Sequence, residues 1–136
     1  MRRLAANVRQ TQVQRGPMQV CDYRGLAVWQ RAMELVVECY SLAERLPRHQ
    51  RYELAAQLRR AAVSVAASIA GGNGRFHRRE YVHHLSIARG SLLELATYVE
   101  ITCRLAYVTA ADLHVVRELI DHVGRMLSRL VTRLQS

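Results

Sequence analysis

The C-terminal segment of this chain carries an apolar repeat that strongly restricts its fold. Apolar residues recur there in alternating steps of three and four, without a break, from position 113 to position 134. At about 3.5 residues per repeat, these side chains share one side of an α-helix, whereas a strand would divide them between both faces. The segment is therefore predicted to be a long helix that packs against other helices. Its seam comprises Leu113, Val116, Ile120, Val123, Leu127, Leu130 and Leu134.

Three further segments show helical spacing and are predicted as helices over 26–46, 51–70 and 78–105. The middle one also has a second face of small alanines, which would let a neighbouring backbone come close. The residues predicted to face inward are Leu26, Trp29, Met33, Val36, Tyr40, Ala43 and Leu46 in the first helix, Leu54, Leu58, Ala61, Val65 and Ile69 in the second, and Tyr81, Leu85, Ala88, Leu92, Leu95, Val99 and Thr102 in the third.

Several residues mark where these helices end or come close together. Pro47 ends the first helix, because proline disfavours a helical residue before it. The Gly71-Gly72 pair is expected to end the second helix in a left-handed cap. Thr109 is predicted to cap the fourth helix, since an acidic residue follows three positions later. Gly90 lies in the middle of the third helix, where a close helix crossing would offset its low helix propensity.

Four amphipathic helices with short connections predict an all-α, antiparallel up-down-up-down four-helix bundle over residues 21–136. Residues 1–20 contain four arginines and no acidic residue, and are interpreted as a basic N-terminal arm. On the third helix, Val82, Leu93 and Ile101 widen the apolar stripe beyond what one core needs. This extra width predicts a subunit interface and hence an oligomer.

Charge is the clearest guide to function. The chain has a formal net charge of +9, and all 20 of its basic residues are arginines. A GC-rich genome would explain the missing lysine but not the excess over acidic residues. A positive field attracts nucleic acid or an acidic protein, and arginine can bind phosphate through two parallel hydrogen bonds. The charge therefore predicts a polyanionic partner.

No residue pattern for catalysis, metal or cofactor binding is found. A phosphate-binding P-loop needs a lysine, and the Gly72-x-Gly74 pair follows a helix where a dinucleotide fingerprint follows a strand. His83 and His84 point about 100° apart on a helix and so chelate poorly. We therefore expect no enzyme activity, no metal and no cofactor. Three cysteines without ligand spacing indicate reduced thiols in a cytoplasmic protein, and no apolar run is long enough to span a membrane.

Arginines cluster directly after the GGNG stretch that ends the second helix. A bundle end needs no such cluster for stability, so Arg75, Arg78 and Arg79 are predicted to contact nucleic acid. Phe76 within the cluster would either staple the start of the third helix or, if exposed, stack on a base.

A second arginine stripe follows the fourth helix at a spacing of four. One interpretation is a solvated face on which Asp121 pairs with neighbouring arginines. The other is phosphate binding, since Arg129 and Arg133 have no acidic residue four positions away. The sequence leaves these two alternatives open, and the residues assigned to nucleic-acid binding here are Arg125, Arg129 and Arg133.

Arg59 and Arg60 lie on a helix otherwise lined by alanine and valine. One of them is predicted to form a buried structural ion pair with Glu94 of the third helix. Removing one partner of such a pair would cost about 3–5 kcal/mol.

The run RRAAVSVAASIAGGNGRFHRREYVHHLSIARGSLLEL, residues 59–95, resembles the 23S rRNA intervening-sequence proteins, a family of four-helix bundles. That family's pattern has an Arg-Arg-Ala-Ala-Val-Ser opening, a Gly-x-Gly-Arg turn and Ile-Ala-x-Gly-Ser-x-x-Glu. LAVWQRAMEL resembles the Leu-x-Val-Trp-Gln motif with which the family's first helix begins. Leu105-Ala106-Tyr107 resembles the family's Leu-Gly-Tyr motif, with alanine in place of glycine. Where the family has a proline, this chain has Ala66, which implies a less kinked second helix. Where the family has a glutamate, this chain has Gly71, which implies a less acidic end of that helix.

The family is similar to the accessory variability proteins of diversity-generating retroelements, which are basic pentameric bundles that bind nucleic acid and a reverse transcriptase. The resemblance implies a ring-shaped homo-oligomer, a pentamer as in the similar proteins, with RNA or a reverse transcriptase as a partner. The predicted function is thus non-enzymatic binding of RNA or single-stranded nucleic acid through phosphate contacts. The alternative is a structural or interaction bundle whose partner is an acidic protein.

Overall fold

Four α-helices make up most of residues 22–136, the part of the chain that the computed structural model describes. They are α1 (Ala27–Arg45), α2 (Leu54–Asn73), α3 (Arg78–Arg104) and α4 (Ala110–Gln135), with single 3₁₀ turns at Tyr23–Gly25 and Arg48–Gln50. The described residues contain no strand, so the predicted all-α class is confirmed. The predicted arm and Cys21 lie outside the described residues.

The helices form an antiparallel bundle in which each one packs against two neighbours. Helix α1 lies next to α2 and α4, and helix α3 also lies next to α2 and α4, whereas no Cα atoms of the two diagonal pairs come within 8 Å of each other. The α2–α3 pair packs most closely and the α3–α4 pair least closely. Small side chains on α2 explain the close pair, because buried alanines keep two helix backbones near each other. The alanines buried on α2 are Ala55, Ala61, Ala62 and Ala66.

The seam predicted on the fourth helix and the stripe predicted on the third are confirmed. All the seam residues of α4 are buried except Leu134, which is half-buried. On α3 the whole stripe from Leu85 to Thr102 is buried, and Tyr81 at its start is half-buried. The predicted capping box is also present, since Asp112 N donates to Thr109 Oγ1 and Thr109 N donates to Asp112 Oδ2.

The stripe predicted on the first helix is wrong at two positions, whereas Ala43 and Leu46 are buried as predicted. Met33 and Tyr40, which were predicted to face inward, are 39% and 46% exposed. Helix α1 carries two apolar stripes one residue apart, and both satisfy the helical period. The buried stripe includes the small residues Ala32 and Cys39, which let α2 and α4 approach more closely than bulky side chains would. The buried residues of α1 are Val28, Ala32, Leu35, Cys39, Leu42 and Ala43.

Two predictions about glycines are also wrong. Helix α2 continues through Gly71 and Gly72 to Asn73, and no glycine in residues 22–136 has a positive φ. The close crossing occurs at Gly72, where an added Cβ would lie 2.7 Å from His84 Cβ. At Gly90, an added Cβ would meet nothing within 4 Å. Gly72 therefore serves the packing of α2 on α3, and Gly90 lies on the outer surface.

Helix α3 ends in a Schellman motif that requires a left-handed residue. Tyr107 N donates to Thr102 O and Ala106 N donates to Cys103 O, which are the two hydrogen bonds of this motif. The left-handed position is occupied by Ala106, whose φ is 57°. Glycine is the usual residue here because an L-residue in this conformation brings its Cβ too close to a carbonyl oxygen.

Ala106→Gly is expected to raise the free energy of unfolding by about 1 kcal/mol, because it relieves this backbone strain. Urea unfolding followed by circular dichroism would measure the change. Ala111→Gly is the matched control: Ala111 is exposed in the first turn of α4, and its replacement should lower the free energy of unfolding by about 0.5–1 kcal/mol. Equal destabilisation by both substitutions would show that Ala106 is not strained.

Candidate nucleic-acid interface

The antiparallel topology brings the two predicted arginine clusters to one half of the bundle. Helix α4 ends beside the start of α3, as shown by the groove that Val82 and Leu85 line together with Leu127 and Val131. Arg75, Arg78 and Arg79 therefore lie in the same half as the three arginines in the last turns of α4. We call this the basic half and define it by the helix midpoints as residues 22–36, 64–91 and 123–136.

Charge is distributed very unevenly between the two halves. The basic half contains nine arginines and three acidic residues, a formal charge of +6, whereas the opposite half (37–63 and 92–122) has seven arginines and eight acidic residues, a charge of −1. Residues 22–136 thus concentrate all their excess positive charge at one end. An anion approaching the protein is drawn to that end.

Two carboxylates of the opposite half, Glu100 and Asp112, are engaged by arginines or by the backbone. Glu100 accepts from Arg104 at 3.1 Å and from Arg117 at 3.0 Å, and these partners, Arg104 first, hold the pKa of Glu100 below its usual value. The pKa of Asp112 is also lowered, chiefly by its hydrogen bonds with Thr109 and less by Arg45 at 3.2 Å. With seven arginines and eight acidic residues, this half carries almost no net charge.

In the basic half, seven arginines form no ion pair within residues 22–136, compared with four in the opposite half. One of the two interpretations of the sequence paired Asp121 with Arg117 and Arg125, yet Arg117 bridges from α4 to Glu100 of α3 instead. The paired, solvated face that the sequence allowed is thus not found. The seven arginines are Arg75, Arg78, Arg79, Arg89, Arg125, Arg129 and Arg133.

The turn between α2 and α3 presents part of this charge together with an aromatic ring. Arg75 Nε donates to His84 Nε2 at 3.1 Å, and both residues line a shallow cavity of about 430 Å³ with Arg79, Glu80 and His83. Phe76 is 100% exposed, so it does not staple the start of α3. The turn between α2 and α3 therefore combines cationic groups with an exposed aromatic ring.

A groove between α3 and α4 extends the basic surface along the bundle. Leu92 and Ile120 contribute to its apolar lining, while Arg89 lies on the α3 side and Arg125 and Arg129 on the α4 side. Arg89 was missed at the sequence level, because only the packing of α3 beside α4 places it near the other arginines. The groove exists because this helix pair is the most open one in the bundle.

The predicted ion pair of Arg59 or Arg60 with Glu94 is not formed. Arg60 and Glu94 are exposed, Arg59 donates to the Arg51 carbonyl oxygen at 3.3 Å, and no ion pair within residues 22–136 joins them. The physical reason is that alanines of α2 fill the interface with α3. The charged side chains stay in water, which avoids the free-energy cost of desolvating them.

The remaining candidates in residues 22–136 are a metal site, a membrane span and one buried thiol. No three His, Cys, Asp or Glu side chains there come together as a metal site, and none of the four helices is apolar enough to cross a membrane. Burial, with a smaller effect from neighbouring Glu38, raises the pKa of the Cys39 thiol to about 12. This thiol therefore stays protonated and acts as a small core residue.

Comparison with known proteins agrees with this architecture. The family model described as 23S rRNA-intervening sequence protein matches residues 24–129. A solved structure, described as a protein with unknown function from the S23 ribosomal protein family of Bacteroides thetaiotaomicron, superposes with a TM-score of 0.72. It covers 77% of this chain and 98% of its own, at 19% sequence identity, which shows a shared fold alone. No curated protein matches the chain.

Proposed function

We propose that this chain, which belongs to the family of 23S rRNA-intervening sequence proteins, binds RNA or single-stranded nucleic acid without catalysing a reaction. The observation that carries the proposal is the basic half, in which seven arginines lack a carboxylate partner within residues 22–136. Unpaired, exposed guanidinium groups are ready to bind phosphates without first breaking an internal ion pair. The family description refers to an intervening sequence of 23S rRNA.

Binding of this kind is electrostatic and largely independent of sequence. Each arginine that meets a phosphate releases condensed counterions, and this release supplies most of the affinity. Contacts with phosphates fix the position of the protein on the strand, while reading a sequence requires contacts with base edges. The proposed role is therefore to coat or gather nucleic acid.

Salt dependence tests the proposal directly. Fluorescence anisotropy with labelled single-stranded RNA is expected to show an affinity that falls linearly with salt on logarithmic axes, with a slope of about −0.7 for each phosphate contacted. Unlabelled RNA of a different sequence should displace the labelled RNA as effectively as unlabelled RNA of the same sequence does. A slope near zero, or no binding at low salt, would refute the proposal.

Self-association is a further part of the proposal. Exposed apolar residues on the outer face of α3 support it, in particular Ile87, Leu93 and Ile101, together with Gly90, where a second helix could approach closely. In a ring, as the family resemblance implies, the basic halves of the subunits would form one continuous rim. Sedimentation equilibrium of the purified protein tests for the oligomer and gives its subunit number.

Association with a reverse transcriptase is the most specific part of the proposal, and it rests on the family resemblance alone. The bundle would hold RNA near the enzyme, which would carry out the chemistry. Co-purification of the two proteins, repeated after nuclease treatment, tests whether they bind each other directly.

The α3–α4 groove favours a second candidate function, binding of an acidic protein. Its apolar floor beside Arg89, Arg125 and Arg129 fits an amphipathic helix that carries carboxylates along its edges. The ratio of absorbance at 260 and 280 nm distinguishes the candidates. Bound nucleic acid raises the ratio after purification at low salt, and washing at high salt lowers the ratio to that of protein alone. A protein partner leaves the ratio low at both salt concentrations.

A further inference from the structure

Phe76 has no role in the fold that the structure can show. It is the only phenylalanine of the chain, and its side chain is 100% exposed. Tyr52, which is 85% exposed, has a hydroxyl group that water can solvate, but a phenylalanine ring has no polar atom. A fully exposed ring on a short turn is thus available for contact with a partner.

The surroundings of Phe76 indicate the chemistry of that partner. Arg75 precedes the ring, and Arg78 and Arg79 follow it within three residues. Arg75 uses its Nε to bond His84, while its two terminal nitrogens have no hydrogen-bond partner within residues 22–136. A guanidinium held in this way presents its terminal nitrogens in the geometry that matches a phosphate. An aromatic face beside such groups fits a base and its phosphate.

We propose that the α2–α3 turn is a binding site for an unpaired nucleotide, whose base stacks on Phe76 while an adjoining phosphate binds Arg75 and Arg79 at the edge of the cavity. The proposal rests on the proposed function and narrows it to single strands. RNA and single-stranded DNA both offer an aromatic base and a phosphate to this site.

Preference for an unpaired strand follows from the geometry of stacking. In a duplex both faces of each internal base are covered by neighbouring bases, so an aromatic side chain finds a free face only at the ends. In a single strand every base has an open π-face, and stacking on aromatic residues is tolerant of sequence. Contacts with phosphates alone would not disfavour a duplex, which has the higher charge density.

Phe76→Ala tests the proposal against two probes, oligouridylate and a mixed-sequence RNA duplex of the same length. The substitution is expected to weaken oligouridylate binding about tenfold and to leave duplex binding unchanged. Phe76→Tyr should retain most of the affinity, whereas Phe76→Leu should resemble alanine, because stacking needs an aromatic ring. Because Phe76 makes no core contact, thermal unfolding should be the same for all three variants.

Tyr52→Ala is the matched control, since Tyr52 is an exposed aromatic residue at the opposite end of the bundle. It should bind both probes as the wild type does. If the wild type binds both probes equally and Phe76→Ala changes neither, the nucleotide site is disproved while the phosphate-binding function stands. If the wild type binds neither probe at low salt, the function itself fails, and the site with it.

Discussion

Replacing Arg75, Arg78 and Arg79 together by glutamine is expected to weaken the binding of single-stranded RNA about 100-fold at physiological salt. Glutamine keeps a polar side chain but cannot neutralise a phosphate, so each substitution removes one charge-assisted contact. The slope of affinity against salt, on logarithmic axes, should become shallower by about 2, because three fewer phosphates are neutralised. Anisotropy titrations at several salt concentrations measure both quantities.

The matched control is the triple variant Arg48→Gln, Arg51→Gln and Arg60→Gln. These arginines are exposed, lie in the opposite half and make no side-chain ion pair within residues 22–136. Both variants have a formal net charge of +6, since each removes three arginines from a chain of +9. If both lose affinity equally, only the overall charge matters, and the assignment of the interface to the basic half is wrong.

Gly72→Ala is expected to lower the free energy of unfolding by about 2 kcal/mol, although alanine is the better helix former. The new Cβ would lie 2.7 Å from His84 Cβ and 3.2 Å from Tyr81 Cδ1. His84 Cβ is fixed to the backbone of α3, so no rotation of a side chain can relieve the overlap. Helix α3 would have to move away from α2 at the tightest crossing of the bundle.

Gly71→Ala provides the control one residue away in the same helix. An added Cβ at Gly71 meets nothing within 4 Å, so this substitution should raise the free energy of unfolding by about 0.5–1 kcal/mol. The two neighbouring glycines are thus expected to respond with opposite signs. Urea unfolding of both variants under one condition decides the matter, and stabilisation by both would mean that α2 and α3 are not in close contact at Gly72.

The positions of the helices were predictable because each helix has a periodic pattern of apolar residues along the sequence. The α4 seam, the Thr109–Asp112 capping box and the α3 stripe all follow from residues within a few turns of one another. The positions of the first two helices were predicted as well, but the burial of Ala32 and Cys39 in place of Met33 and Tyr40 on α1 was not. Two apolar stripes compete there, and only the fit of Ala32 and Cys39 against neighbouring helices decides between them.

The candidate interface was predictable only as separate pieces. The arginines after GGNG and those of the α4 stripe were found from the sequence, whereas Arg89 was not. The exposure of Phe76 was one of two alternatives, and so was the pairing of Asp121 with arginines four residues away. The predicted ion pair between Glu94 and an arginine of α2 is not formed. Ion pairs between helices depend on which faces meet, and spacing along one helix carries no information about that.

By itself, the sequence determined that this protein is a bundle of four helices with a strong excess of arginine, because period and charge are properties of the chain. Only the tertiary structure decided how the positive charge is distributed over the surface. Antiparallel packing places the end of α4 beside the start of α3, and so collects seven unpaired arginines and an exposed phenylalanine at one end. It also decided what the GGNG glycines do. Gly72 is needed because α3 crosses it, which no local pattern in the chain reveals.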